Sequence, residues 1–138
     1  FSDLVSGEGP RATPAYADGR LFVMGGEAEL ACLDAATGGE IWSRSLMEEM
    51  GANLPVWGFS ASPLVQQGVV IVYVDGDDDH GWVGFDAATG ETRWSVPASG
   101  MNYGSAQAMK FDGVPMTVFC TERGCQAVDA ATGESLWE

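Results

Sequence analysis

The pentapeptide Asp-Ala-Ala-Thr-Gly occurs three times, at Asp34 to Gly38, Asp86 to Gly90 and Asp129 to Gly133, and a Trp follows each Asp by eight residues, at Trp42, Trp94 and Trp137. A turn that recurs with the same aromatic offset marks a repeated supersecondary unit, and units of this size bury their apolar faces only by stacking on one another. The chain is therefore read as an array, and the content of one unit decides which kind.

Each unit has the same order of parts. A Ser or Thr opens it, at Thr13, Ser62 and Ser105, followed by Pro14, Pro63 and, as an exception, Ala106. A short apolar segment, a Gly-containing turn (Asp18-Gly19, Gln67-Gly68, Asp112-Gly113) and an apolar strand follow, at Leu21 to Met24, Val69 to Val74 and Met116 to Cys120. A third strand runs into the pentapeptide, at Leu30 to Leu33, Trp82 to Phe85 and Gln126 to Val128, and a fourth carries the Trp. Four short strands joined by tight turns form an antiparallel meander, which is one propeller blade. The 19 Gly and 6 Pro fit a chain of turns and short elements. The expected fold is all-β, a partial β-propeller of about three four-stranded blades. Residues 1–138 read as one domain, with blade 1 at about 12–46, an insertion at 47–60, blade 2 at about 61–97 and blade 3 at about 104–138.

Turn chemistry accounts for the pentapeptide without any activity. Asp accepts hydrogen bonds from backbone N–H groups two or three residues on, and Gly takes the positive φ that closes the hairpin. Asp34, Asp86 and Asp129, with Gly38, Gly90 and Gly133, are thus expected as turn residues, because a catalytic carboxylate would occur once and not in every unit. Trp42, Trp94 and Trp137 are expected to fill the gaps between neighbouring blades.

Asp34 and Asp86 are 52 residues apart while Asp86 and Asp129 are 43 apart, and the excess lies between Trp42 and Ser62. Within it, Leu46-Met47-Glu48-Glu49-Met50 is a good helix former ended by Gly51. Insertions into repeat arrays gather on one face and carry binding. Trp57 and Phe59 have two readings, a contact surface or aromatic weights that pack the loop down.

Charge excludes one class of partner. Asp and Glu number 20 against six Lys and Arg, for a net charge of −14, and no basic cluster is present to hold a phosphate backbone. No apolar run approaches the ~20 residues of a membrane-spanning helix. Cys32, Cys120 and Cys125 match no zinc spacing, and His80 is the sole His. Cys120 and Cys125 flank what reads as a four-residue hairpin loop; buried free thiols are the first reading and a cross-strand disulfide in an oxidising compartment the second. Asp75, Asp77 and Asp79 alternate as in a calcium loop, a weak signal because His80 stands where Gly is expected and Asp86 already serves the repeat. Neither a Ser-His-Asp arrangement nor a phosphate-binding loop has its flanking sequence here.

The unit Leu33-Asp34-Ala35-Ala36-Thr37-Gly38-Gly39-Glu40-Ile41-Trp42 resembles the tryptophan-docking repeat of the pyrroloquinoline quinone (PQQ)-like β-propellers. Ser62-Pro63-Leu64-Val65 and Gly68 to Val72 are similar to that repeat's opening strands. Arg93 departs from it, standing at a usually apolar place, as does Ala106. The resemblance implies two functional classes. Quinoprotein dehydrogenases close an eight-blade ring around PQQ and calcium, with a catalytic Asp, a Trp under the quinone and often an adjacent cysteine pair; non-catalytic secreted and outer-membrane-assembly members use loops and rims for protein contacts. No residue here maps onto a quinone site, so no catalytic residue and no cofactor are expected in this chain. The leading expectation is a non-catalytic interaction scaffold in a periplasmic or secreted protein. The alternative is a fragment of a PQQ- and calcium-dependent alcohol dehydrogenase whose active site lies in other blades. A third reading is a carbohydrate-binding propeller using Trp57 and Trp82. Three blades leave two sheet faces uncovered, so the chain is expected to be part of a longer protein, with the rest of the propeller and a further protein as partners.

Overall fold

The computed structural model describes residues 2–3, 7–9, 11–75, 80–97, 102–121 and 124–138. Three four-stranded antiparallel sheets succeed one another along the chain, each a meander in sequence order. A short pair, β1 (Ser2–Asp3) and β2 (Gly7–Glu8), precedes them. The first sheet holds β3 (Ala15–Ala17), β4 (Arg20–Met24), β5 (Glu29–Asp34) and β6 (Glu40–Ser45). The second holds β7 (Leu64–Gln66), β8 (Val69–Tyr73), β9 (Trp82–Asp86) and β10 (Thr92–Val96). The third holds β11 (Gln107–Phe111), β12 (Val114–Thr121), β13 (Gly124–Val128) and β14 (Ser135–Trp137). The helix among the described residues is α1 (Leu46–Met50), ended by Gly51 at φ 61°. This is a partial β-propeller of three blades.

The first hairpin of every sheet turns on two left-handed residues. Asp18 and Gly19, Gln67 and Gly68, and Asp112 and Gly113 all have positive φ, the backbone of a turn whose twist matches the flanking strands. Because Gly68 alone of the second pair escapes the Cβ penalty, Gln67 is the strained member there.

Packing follows from alternation along β8, which is buried along its whole length. Val70 and Val72, continued by Val74 just past the strand, point into a cluster with Phe22, Met24, Leu30, Cys32, Val83 and Phe85. Val69, Ile71 and Tyr73 point the other way, into a cluster with Trp82, Trp94, Phe119 and Val128. The middle sheet therefore reads as a continuous apolar strand where an isolated sheet would alternate. Each outer sheet buries one face this way, and the third keeps Met109, Phe111, Val114 and Trp137 exposed.

The fourth strand of every sheet carries a bulge one residue before its Trp. Leu33 pairs Glu40 and Cys32 pairs Trp42, leaving Ile41 as the extra residue; Arg93 and Leu136 occupy the same place. Opposite each Trp the third strand carries a small residue, Cys32, Gly84 or Ala127. At Gly84 the reason is direct: a Cβ there would lie 2.3 Å from the Trp94 ring.

Candidate functional site

The pentapeptides form one turn built three times. Asp34 Oδ1 accepts from the N–H groups of Ala36 (3.0 Å) and Thr37 (2.8 Å) and from the Thr37 hydroxyl. Asp86 Oδ1 accepts from Ala88 and Thr89, and Asp129 Oδ1 from Ala131 and Thr132. The N–H of Gly38, Gly90 or Gly133 donates to the backbone carbonyl of the turn's Asp at 2.8 Å in each case. These bonds hold the Asp34 carboxyl below its ordinary value, the Thr37 hydroxyl contributing most. Asp86 is lowered further, to about 2, chiefly because Arg93 donates to its Oδ2 from Nε and Nη2. The residue that departs from the repeat at the bulge thus serves the second turn as a counter-ion.

Between sheets, two bonds recur. Trp42 Nε1 donates to the Ala87 carbonyl of the next sheet at 3.3 Å, and Trp94 Nε1 to Ala130 at 2.9 Å. The indoles lie against Gly90 and Gly133, where an added Cβ would come within 2.8 Å of the rings. On the opposite edge of the sheets, Thr13 N–H donates to the Ser62 hydroxyl and Ser62 N–H to the Ser105 hydroxyl, both at 2.8 Å. The sequence marked Thr13, Ser62 and Ser105 as repeat positions but gave no sign of this bonding, because each partner lies one unit further along the chain. Trp137, on the last strand, is exposed.

The insertion is tied to both sheets it joins. Leu46 N–H donates to Ala28, Phe59 N–H to Gly26 and Asn53 N–H to Asp75, so the segment spans the β4–β5 turn of the first sheet and the β8–β9 loop of the second. Arg44 donates to Glu49 and to the Gly90 carbonyl, and its guanidinium lies 5.2 Å from the centre of the Phe85 ring. Leu46, Met50, Ala52 and Phe59 join the core between the two sheets. Phe59, 2% exposed, is therefore an interior residue, whereas Trp57 is 44% exposed and Val56 71%.

Asp75 lies at the start of the β8–β9 loop, its backbone carbonyl bound to Asn53 and its carboxylate to the Tyr73 hydroxyl; Asp77 and Asp79 lie outside the described residues. Cys120 and Cys125 form a disulfide, which displaces the free-thiol reading. The flanking positions expected from the sequence are kept and the hairpin is tighter than a four-residue loop, with Thr121 paired to Gly124; Cys120 lies directly opposite Cys125 with Cα atoms 4.0 Å apart, within reach of a bridge. The pair sits where the earlier sheets place Met24 against Leu30 and Tyr73 against Trp82. Cys32 is a buried thiol whose pKa burial raises, against a smaller opposing effect of Arg20. Trp82 is fully buried, stacked on Phe119 at 4.6 Å, and so offers no face to a sugar.

Among the described residues no three His, Cys, Asp or Glu side chains are placed to hold a metal ion. Trp42 and Trp94 lie against the next sheet's glycines, Trp82 is enclosed, and the disulfide joins cysteines five residues apart rather than adjacent ones. The described residues thus assemble no site that fits a calcium-bound quinone.

Sheets seamed by indoles and hydroxyls, with an insertion fixed across one junction, define a PQQ-like propeller. The chain belongs to the family described as outer membrane protein assembly factor BamB, whose pattern it matches over residues 2–138. It is also similar to a quinohemoprotein alcohol dehydrogenase from Comamonas testosteroni, 35% identical over 85 residues that make up 57% of this chain and 12% of that one. Among solved structures, BamB from Moraxella catarrhalis aligns with a TM-score of 0.63 at 21% identity, over 93% of this chain and 35% of that one. A europium-containing methanol dehydrogenase aligns with a TM-score of 0.69 at 17% identity, over 91% of this chain and 31% of that one. The chain thus spans from 12% to 35% of the length of these relatives. No helix among the described residues is long and apolar enough to cross a membrane.

Proposed function

We propose that residues 1–138 form one partial propeller domain, with blades at about 12–46, 61–97 and 104–138, that serves as a non-catalytic protein-interaction scaffold in a periplasmic or secreted protein. The observation that carries this reading is the division of labour among its chemistry-bearing residues. The three pentapeptide Asp side chains are spent on turns, and Trp42 and Trp94 on docking one blade to the next. The insertion, by contrast, holds Trp57 at the surface on a fixed backbone. Trp137 is the third docking residue in this reading, and it is exposed. Membership of an assembly-factor family supports a scaffold, and the Cys120–Cys125 disulfide supports an oxidising compartment.

The test is site-specific photocrosslinking of the whole protein in cells, with the crosslinker at position 57 and, as a control, at Glu40. Discrete protein adducts at 57 and none at 40 are expected; equal, diffuse labelling at both would remove the scaffold role. A second reading, part of a PQQ- and calcium-dependent dehydrogenase, has the 35% identity to the Comamonas testosteroni enzyme in its favour. Alcohol-dependent dye reduction by the whole protein after addition of PQQ and calcium would establish it in place of the first.

A further inference from the structure

We infer that the Pro55 to Gly58 turn is a docking knob for a cationic amphipathic segment of a partner protein, an inference that rests on the scaffold reading above. Gly58 N–H donates to the Pro55 carbonyl at 2.8 Å, which makes Val56 and Trp57 the two central residues of a β-turn. Such positions belong to Gly, Pro, Asn, Asp and Ser, whose backbone or side chains suit the turn and the water around it. Here they carry two large apolar side chains, and Leu54 beside them is exposed as well. Scattered single apolar residues on a surface are ordinary; adjacent ones on the tip of a fixed turn are not.

The turn is fixed from behind. Pro55 and Gly58 are buried and Phe59 fills the core, so the aromatic weight that packs this loop down is Phe59 and not Trp57. Both shoulders are bonded to different sheets, Asn53 to the Asp75 carbonyl and Phe59 to Gly26. A preorganised Trp at the centre of an exposed apolar tip is the arrangement that dominates binding energy at protein interfaces, since little ordering entropy remains to be lost.

Charge selects the occupant. The insertion, 46–60, and the segments it is bonded to, 25–28 and Asp75, carry Glu27, Glu48, Glu49 and Asp75 and no Lys or Arg. Glu49 is engaged with Arg44, which leans across the junction toward Gly90, while Glu48 is exposed. An apolar tip in an acidic frame, on a chain of net charge −14, fits a segment whose apolar face is flanked by Lys or Arg. The same frame repels an anionic lipid surface.

Fluorescence anisotropy tests this with the whole protein and three labelled peptides of equal length: a Leu/Lys amphipathic helix, a Leu/Glu helix and a Ser/Lys peptide matched in charge to the first. Binding of the Leu/Lys peptide is expected, weakened by salt and by Glu48→Lys, and weakened tenfold or more by Trp57→Ala. Val56→Ser, at a site too exposed to affect folding, provides the second variant and is expected to weaken binding less. The inference falls if the Ser/Lys peptide binds as well, or if Trp57→Ala and Val56→Ser leave affinity unchanged. Binding to phosphatidylglycerol vesicles through Trp57 without discrimination among peptides would also overturn it, in favour of a lipid surface. If position 57 still crosslinks to protein in cells while the peptides fail, the partner chemistry is wrong and the scaffold reading stands.

Discussion

The two junctions between sheets share a hydrogen-bonding scheme and differ in how they fill space. At both, an indole N–H reaches the second residue of the next pentapeptide, and a backbone N–H reaches the next sheet's Ser hydroxyl. Between the second and third sheets the volume is taken by rings, Tyr73, Trp82 and Phe119, and Trp94 is only 7% exposed. Between the first and second sheets Phe22 and Phe85 pack among aliphatic side chains, Trp42 is half-buried, and the insertion supplies Leu46, Met50 and Phe59. The bonding scheme is thus the constant of the repeat, while the packing solution is local. At the first junction the insertion completes the filling, and its other side, with Val56 and Trp57, faces solvent.

The sharpest way to break this comparison is to remove both indoles in turn. Trp94→Ala opens a cavity and strands the Ala130 carbonyl, and is expected to cost about 3–5 kcal/mol in urea unfolding. Trp42→Ala, at a wetter site with a longer bond, is expected to cost about half as much. Equal losses would mean that burial does not set the difference. Phe59→Ala comes next, at about 2–4 kcal/mol, because the insertion is part of the first junction's core. A loss below about 1 kcal/mol would show the insertion to be decoration.

The architecture was legible because the repeat states it three times: Asp, Gly and Trp in fixed phase leave few alternatives to a stacked meander. What escaped were properties settled between units. Trp57 and Phe59 look alike in sequence, two aromatics in one loop, and only the Gly26 and Asp75 carbonyls of neighbouring sheets decide which turns inward. The disulfide was legible only as the second of two readings. Spacing placed Cys120 across from Cys125 but left thiols and a bridge both open, and the register of β12 on β13 brings the pair within bonding reach. The bulge before each Trp left only an oblique trace, the Arg at position 93, whose purpose appears once Asp86 is beside it.

A polar pair, Thr117 buried and Gln66 partly so, distinguishes the second junction further. The Thr117 hydroxyl donates to Gln66 Oε1 at 2.7 Å while Gln66 Nε2 donates to the Met116 carbonyl at 3.4 Å, linking β7 to β12. Thr117→Val keeps the volume and leaves Gln66 half-satisfied, for an expected loss of about 1–2 kcal/mol by urea unfolding. The double change with Gln66→Leu should recover part of it, since removing both partners avoids stranding either. Failure of the double variant to recover would place the cost in β12 packing rather than in the hydrogen bond.

The smallest effect lies at the turns that both junctions share. Asp86 is held at about 2 by Arg93 and the turn N–H groups, below the ordinary carboxylate value of about 4. A folded-state value below the unfolded one means that the contribution is present above about pH 4 and is lost as pH falls from there toward 2. Arg93→Ala removes the largest cause of that depression, so the folded value rises toward the unfolded one and the acid-side slope of stability becomes shallower. At neutral pH the change is minor, because the pair is at the surface, where solvent screening leaves an ion pair little net value. Asp34 keeps its Thr37 bonds whatever stands at position 41, so Ile41→Arg should not reproduce the effect unless the bulge alone aims that side chain at the turn. If Ile41→Arg steepens the acid slope as Arg93→Ala flattens it, the two turns are equivalent and their difference reduces to one residue; if it does not, the second turn owes its lowered carboxylate to the aromatic junction that surrounds it.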